Sequence, residues 1–220
     1  MGVKMQIHQI GGLGFDSNVY LIIDEVVALI DAGTGMNFDS VRRRLKEFKL
    51  EPGDVEIIIN THCHFDHVGG DRDFVEAGAE VAIHGQEAAY LRGGDQIVTC
   101  ANFFGADLAP LQVGIELSGG EKINLGEVSL EVLHTPGHTR GSVCLYDPDH
   151  KLLFSGDTVF CDGFGRVDLP TGSKSDLLSS MERLANLKVQ KLFPGHGPIA
   201  QTAGEKFISE ALNLLREWRD

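Results

Sequence analysis

Residues 62–67 read His-Cys-His-Phe-Asp-His, three imidazoles and a carboxylate within six positions. Side chains two apart on extended backbone point the same way, so His62 and His64 can converge on one ion. Asp66 and His67 are neighbours and leave the turn in other directions. One tetrahedral site cannot take all four, but the same segment can begin a second one. Imidazole together with carboxylate suits zinc, iron or manganese. The signal returns downstream: His138 follows Thr-Pro-Gly, Asp157 follows Ser-Gly, and His196 follows Pro-Gly. A ligand count then divides naturally. His62, His64 and His138 hold a first ion, Asp66, His67 and His196 a second, and Asp157 bridges them. Two ions about 3.5–4 Å apart can share a hydroxide and clamp both sides of a displacement.

Each of these residues must sit at the end of a strand, and the hydrophobic pattern supplies the strands. Apolar runs at 19–23 and 26–30, split by Asp24-Glu25, read as a hairpin of buried strands. The segment 31–35 breaks the second strand. Phe38, Val41, Leu45 and Phe48 follow at helical spacing, with Asn37 as N-cap. A β-branched run at 55–59 then leads into His62. The second half repeats the order. A strand at 128–133 ends before His134, a hairpin at 143–146 and 152–154 leads to Asp157, a helix carries Leu177, Met181, Leu184 and Leu187, and a strand at 191–193 leads to His196. The expectation is a single domain over 1–220 built of two pseudo-repeat halves, about 1–115 and 116–220. A final helix places Phe207, Ala211, Leu214, Leu215 and Trp218 on one core-facing stripe. Residues 93–113 lack periodicity and read as a lid or binding element.

Composition narrows the partners. With 19 Lys+Arg against 32 Asp+Glu the net charge is −13, and the one tight basic run is Arg42-Arg43-Arg44, so no nucleic-acid grip is expected. No apolar run approaches 18 residues, so no membrane span is expected. The opening ten residues lack the apolar stretch of a signal peptide, and Gln6 stands where Gly2 acylation wants Ser or Thr. Cys63, Cys100, Cys144 and Cys161 are scattered and read as free thiols in a reducing, cytoplasmic setting.

The ordered set His62-x-His64-x-Asp66-His67, His138, Asp157 and His196 resembles the metallo-β-lactamase superfamily of metal-dependent hydrolases, over essentially the whole chain. That resemblance implies an α/β fold, an αββα sandwich of two mixed sheets flanked by helices, with the metals at one edge. It implies a pair of zinc ions, with iron or manganese as alternatives. Residues 156–166 look like the glyoxalase II (hydroxyacylglutathione hydrolase-like) branch, in which a basic residue at the place of Arg166 contacts a substrate carboxylate. With 24 residues after His196, the separate C-terminal helical domain that completes a glutathione site is not expected. Phe160 stands where acyl-homoserine lactonases carry a functional Tyr, and Asp157 stands where common β-lactamases carry a Cys ligand.

The resulting expectation is a dinuclear hydrolase of a small thioester or ester, acting through a metal-bridging hydroxide. Asp66 is both ligand and catalytic proton shuttle, and Arg166 orients an anionic substrate end. A mononuclear-iron persulfide dioxygenase is the alternative, with a lactonase or an RNA-processing nuclease behind it. The other candidates read as structural: Asp31 supports the loop carrying His62, His84 caps a helix, His134 is packed or exposed, His8 and His150 lie on the surface, and Cys63 and Cys161 are small fillers. Phe103, Phe104 and Phe164 line the pocket or anchor loops.

Overall fold

A computed structural model describes residues 5–218; residues 1–4 of the segment read above for targeting, Gly2 among them, lie outside the described residues. The apolar runs become strands with their ends trimmed. β1 (Gln6–Gln9), β2 (Tyr20–Ile23), β3 (Val27–Ile30), β4 (Ile57–Ile59), β5 (Glu80–His84) and β6 (Ile115–Leu117) line up in that order as one sheet. The pairs β1–β2 and β2–β3 are antiparallel, and those from β3 to β6 are parallel. A second sheet runs β13 (Lys191–Pro194), β10 (Leu152–Gly156), β9 (Val143–Asp147), β8 (Ser129–His134), β7 (Lys122–Asn124), antiparallel except for the parallel pair β10–β13. A small ribbon pairs β11 (Val159–Phe160) with β12 (Gly163–Phe164).

Alternation along the strands builds the layers, since successive side chains take opposite faces. Leu21, Leu29, Ile58, Val81 and Ile83 face outward onto Val41 and Leu45 of α1 (Phe38–Glu47), Phe74 of α3 (Asp71–Val75), and Ala88 and Leu91 of α4 (Gly85–Gly93). Their neighbours Tyr20, Ile22, Ala28, Ile30, Ile59 and Ala82 face inward onto Leu130, Val132, Val143, Leu145, Leu152 and Phe154. Cys144, Tyr146, Leu153 and Leu192 close the far side against α5 (Lys174–Leu184) and α6 (Gly204–Glu217). Three cores therefore separate four layers, helix, sheet, sheet, helix. The pairing of one half recurs in the other: antiparallel β2–β3 then parallel β3–β4, antiparallel β9–β10 then parallel β10–β13. Among the described residues no helix is long and apolar enough to cross a membrane.

Two expectations need correction. Asn37 stands at the N-cap of α1 but makes no capping bond; its amide donates instead to Leu13 O at 3.1 Å and Asp16 Oδ2 at 2.9 Å. The stripe on α6 is rotated by about one position. Ile208, Ala211, Leu212 and Leu215 are buried, whereas Leu214 is 51% exposed. Trp218 lies past the helix end on extended backbone and is covered on one face by the Lys174 ammonium, 4.6 Å from its ring. The fit of α6 against α5 and β11–β12, rather than helical period alone, decides which face goes in.

Candidate metal centre

The strand ends meet at one edge of the sandwich. β4 delivers the 61–68 segment, whose last turn is the short helix α2 (Phe65–Val68). The turn after β8 delivers His138, β10 delivers Asp157 and β13 delivers His196. Backbone bonds lock these loops together: Ser17 N donates to Asp66 O, Asn18 N to Gly195 O, and Gly195 N to Gly156 O. A side chain at Gly195 would collide with Asp157 Oδ1, so only glycine lets β13 approach this closely.

The seven predicted ligands converge in two groups. His62 Nε2 lies 3.1 Å from His64 Nδ1, which lies 2.9 Å from His138 Nε2. All three histidines are buried. In the second group His196 Nε2 lies 3.0 Å and His67 Nε2 3.8 Å from Asp66 Oδ2. Asp157 spans both groups: Oδ1 is 3.3 Å from His67 Nε2, while Oδ2 is 3.6 Å from both His138 Nε2 and His196 Nε2.

Neighbouring groups fix which nitrogen faces inward. His138 Nδ1 donates to Arg166 O at 2.6 Å, leaving Nε2 as a lone-pair donor. His67 Nδ1 meets Asp31 Oδ2 at 2.8 Å, which aims Nε2 at the centre. Asp31 adopts a left-handed conformation (φ 58°) and also accepts from the Thr61 peptide at 2.8 Å and the Thr61 hydroxyl at 2.9 Å. Its predicted support of the His62 loop thus extends to orienting a ligand, which nothing in the local sequence discloses.

Burial and the neighbouring histidines hold His62 well below its ordinary range, and His64 is pushed down to about 3. Burial lowers His138 as well. These three are neutral donors at neutral pH. Burial also works against charge on His67, but Asp31, Asp157 and Asp66 outweigh it and raise the imidazole well above its ordinary range. Burial opposes ionisation of Asp157, yet His67, His196 and His138 hold it below the usual carboxylate range.

The donor set fits metal ions on its own chemistry. Three neutral imidazoles turn nitrogens toward one point at about 3 Å, and His67 Nε2 and Asp157 Oδ1 are buried with no hydrogen-bond partner, an arrangement a metal cation would satisfy. The sets His62–His64–His138, His62–His67–Asp157 and Asp66–His67–His196 each bring their donor atoms within 4.8 Å of one another.

A cleft of about 430 Å³ opens over the centre. His64, Asp66, His138, Asp157 and His196 form its floor, and Phe103, Phe104, Phe160, Phe164 and Leu169 its walls. Phe103 and Phe104 come from the aperiodic 93–113 segment, through a single 3-10 turn at Ala101–Phe104. Cys100 and Leu169 also reach the cleft, and no motif marks them. Arg166 lines it too, but Nε and Nη2 are engaged by Asp168 at 2.7 and 2.6 Å. His84 caps α4, accepting from Gln86 N, and its ring stacks on His134 at 4.1 Å; both stay outside the centre. His150 pairs with Asp147, also outside it.

The profile of the Metallo-beta-lactamase superfamily matches residues 12–196. A probable metallo-hydrolase of Methanocaldococcus jannaschii is 41% identical over 197 residues, covering 87% of this chain and 92% of that protein. Acyl-coenzyme A thioesterase MBLAC2 of Homo sapiens is 33% identical over 216 residues, covering 83% and 74%. The crystal structure of TTHA1623 in a di-iron-bound form superposes with a TM-score of 0.74 at 31% identity, covering 94% of this chain and 98% of that one. Four layers, strand-end ligands and a match from Gly12 to His196 lead to one conclusion: this α/β chain belongs to the metallo-beta-lactamase superfamily.

Proposed function

We propose that the protein is a dinuclear metal-dependent hydrolase of a small thioester or ester. The observation that carries this reading is the position of Asp157, whose Oδ1 faces His67 of the second group and whose Oδ2 lies between His138 of the first and His196 of the second. His62, His64 and His138 would hold one ion, Asp66, His67 and His196 the other, and Asp157 both. When bound, such ions lower the pKa of water toward neutrality and polarise a carbonyl oxygen. The name of the human relative, acyl-coenzyme A thioesterase, supports a thioester as the substrate bond. Zinc is the metal expected, with iron close behind on the strength of the di-iron form of TTHA1623.

The chain's own residues supply the rest. Asp66 lies on the cleft floor beside His196, placed to take a proton from the attacking water and return it to the departing thiolate. Phe103, Phe104, Phe160 and Phe164 would bury the acyl part and exclude bulk water from the reacting carbon. Arg166 keeps Nη1 for an anionic substrate end, while its pair with Asp168 holds the fork in place. The two halves, about 1–115 and 116–220, act as pseudo-repeats of one domain that closes around this centre.

The test is metal content of protein purified without added metal, combined with turnover of acyl-coenzyme A, a lactoylglutathione-type thioester and glutathione persulfide. Two ions per chain with thioester cleavage is the expected result. One iron with oxygen uptake on the persulfide would replace this reading with a dioxygenase.

A further inference from the structure

Outside the cleft lining sits a buried carboxyl group that neither the ligand set nor the proposed chemistry uses. Glu87 on α4 is fully buried and, among the described residues, forms no ion pair. Its Oε1 accepts from Gly141 N at 3.0 Å. Its Oε2 is buried with no partner in bonding geometry. Cys63, through its thiol and peptide N–H, and the Thr139 hydroxyl are the other polar groups near enough to act on the carboxyl group.

These contacts share one property. Cys63 is the residue between His62 and His64, and Thr139 and Gly141 belong to the turn that begins at His138. Glu87 therefore lies between the backbone segments that carry the first group, although it is 23 residues beyond His64 and 51 before His138 in the chain. The contact is also tight. A Cβ added at Gly141 would meet Glu87 Cγ at 2.5 Å and Cδ at 2.8 Å, so the turn rests directly on the carboxyl group. A buried carboxyl group without a cation is costly, and an apolar residue of similar size would fill the same space more cheaply. Simple packing does not account for it.

We propose that Glu87 is a positioning residue for the first metal site, tying the His62–His64 strand end to the His138 turn so that three imidazole nitrogens stay about 3 Å apart. This inference rests on the dinuclear reading above. It adds that the spacing of that site is set from behind by an acceptor on α4, not by the ligand loops alone. The second group has a different support in Asp31, which orients His67 directly and reaches His62 only through Thr61.

The test uses the full chain with E87A, E87Q and G141A, loaded with cobalt(II) and compared by visible spectrum, metal titration and thermal melting. E87A is expected to weaken the first site about 10- to 100-fold, the range for losing a group that orients ligands, and to change its cobalt band while the second site titrates nearly as in the parent. E87Q keeps an acceptor oxygen and is expected to restore most of the affinity. G141A presses on the same contact from the His138 side and should reproduce the E87A spectrum, which keeps the test decisive if E87A does not fold. Folded variants with the parent's cobalt spectrum and two unchanged affinities would overturn the role of Glu87. A parent protein that takes up no ion would overturn the dinuclear reading itself, a separate result.

Discussion

At the scale of single residues, the centre depends on carboxylates that bind no ion. Asp31 accepts from Thr61 and orients His67, and its left-handed backbone is one that Asn also tolerates. D31N should therefore fold while losing the charge behind His67; we expect the second site to bind zinc about 10- to 100-fold more weakly, measured by titration with a chromophoric chelator. Asp71 is a different case. It is fully buried against Asn60, whose amide donates to Asp71 Oδ2 at 2.6 Å, and burial raises its carboxyl group well above the ordinary range. Asp71 Oδ1 and Asn60 Oδ1 are both buried acceptors without a donor, a deficit that a proton on Asp71 relieves. Because the folded carboxyl group prefers its proton, its contribution is fully present below the unfolded value near 3.8 and is lost as pH rises through the folded value. D71N makes that donor permanent. Its melting temperature should gain on the parent's as pH goes from 5 to 8, by a few degrees in calorimetry; a gap that shrinks with pH would contradict the assignment.

At the scale of elements, the 93–113 segment forms the apolar wall. Phe103 is 67% exposed at the cleft, and Phe104 meets Phe65 and Phe15 at ring distances of 5.5 and 6.3 Å. Large apolar side chains left in water beside a reaction centre favour an apolar acyl group. We expect kcat/KM on acyl-coenzyme A to rise about two- to four-fold per added methylene until the wall is covered, and F103A to flatten that slope. A slope unchanged in F103A would place the acyl chain elsewhere. The strands of the two hairpins were legible from their apolar runs: those at 19–23, 26–30, 143–146 and 152–154 became β2, β3, β9 and β10 with shifts of one or two positions, while the short β1, β6 and β7 carry no comparable run. The buried face of α6 was not legible, because Leu214 and Ile208 suit a helical stripe equally well and only the packing against α5 chooses between them.

At the scale of the whole molecule, the proposed ligands divide between the sheets. His62, His64, Asp66 and His67 follow β4 of the first sheet, while His138, Asp157 and His196 follow strands of the second. Bound ions would therefore staple one sheet to the other. An ion at a thousand times its Kd adds about 4 kcal/mol, and a domain of this size shifts about 2–4 °C per kcal/mol. Chelation is expected to lower the melting temperature by roughly 10 °C or more, and a melting curve indifferent to chelator would argue against sites that span both sheets. The sequence by itself determined the types, order and strand-end placement of the seven candidate ligands, because those follow from short-range spacing and hydrophobic period. Tertiary structure alone decided that Asp31 reaches His67, that Glu87 meets the turn carrying His138 at Gly141, and that Arg166 is engaged by Asp168. The first is made past the ends of the paired strands β3 and β4, the second between helix α4 and the turn after β8, both across many residues, and the third depends on how a loop folds back on itself. No periodicity encodes either.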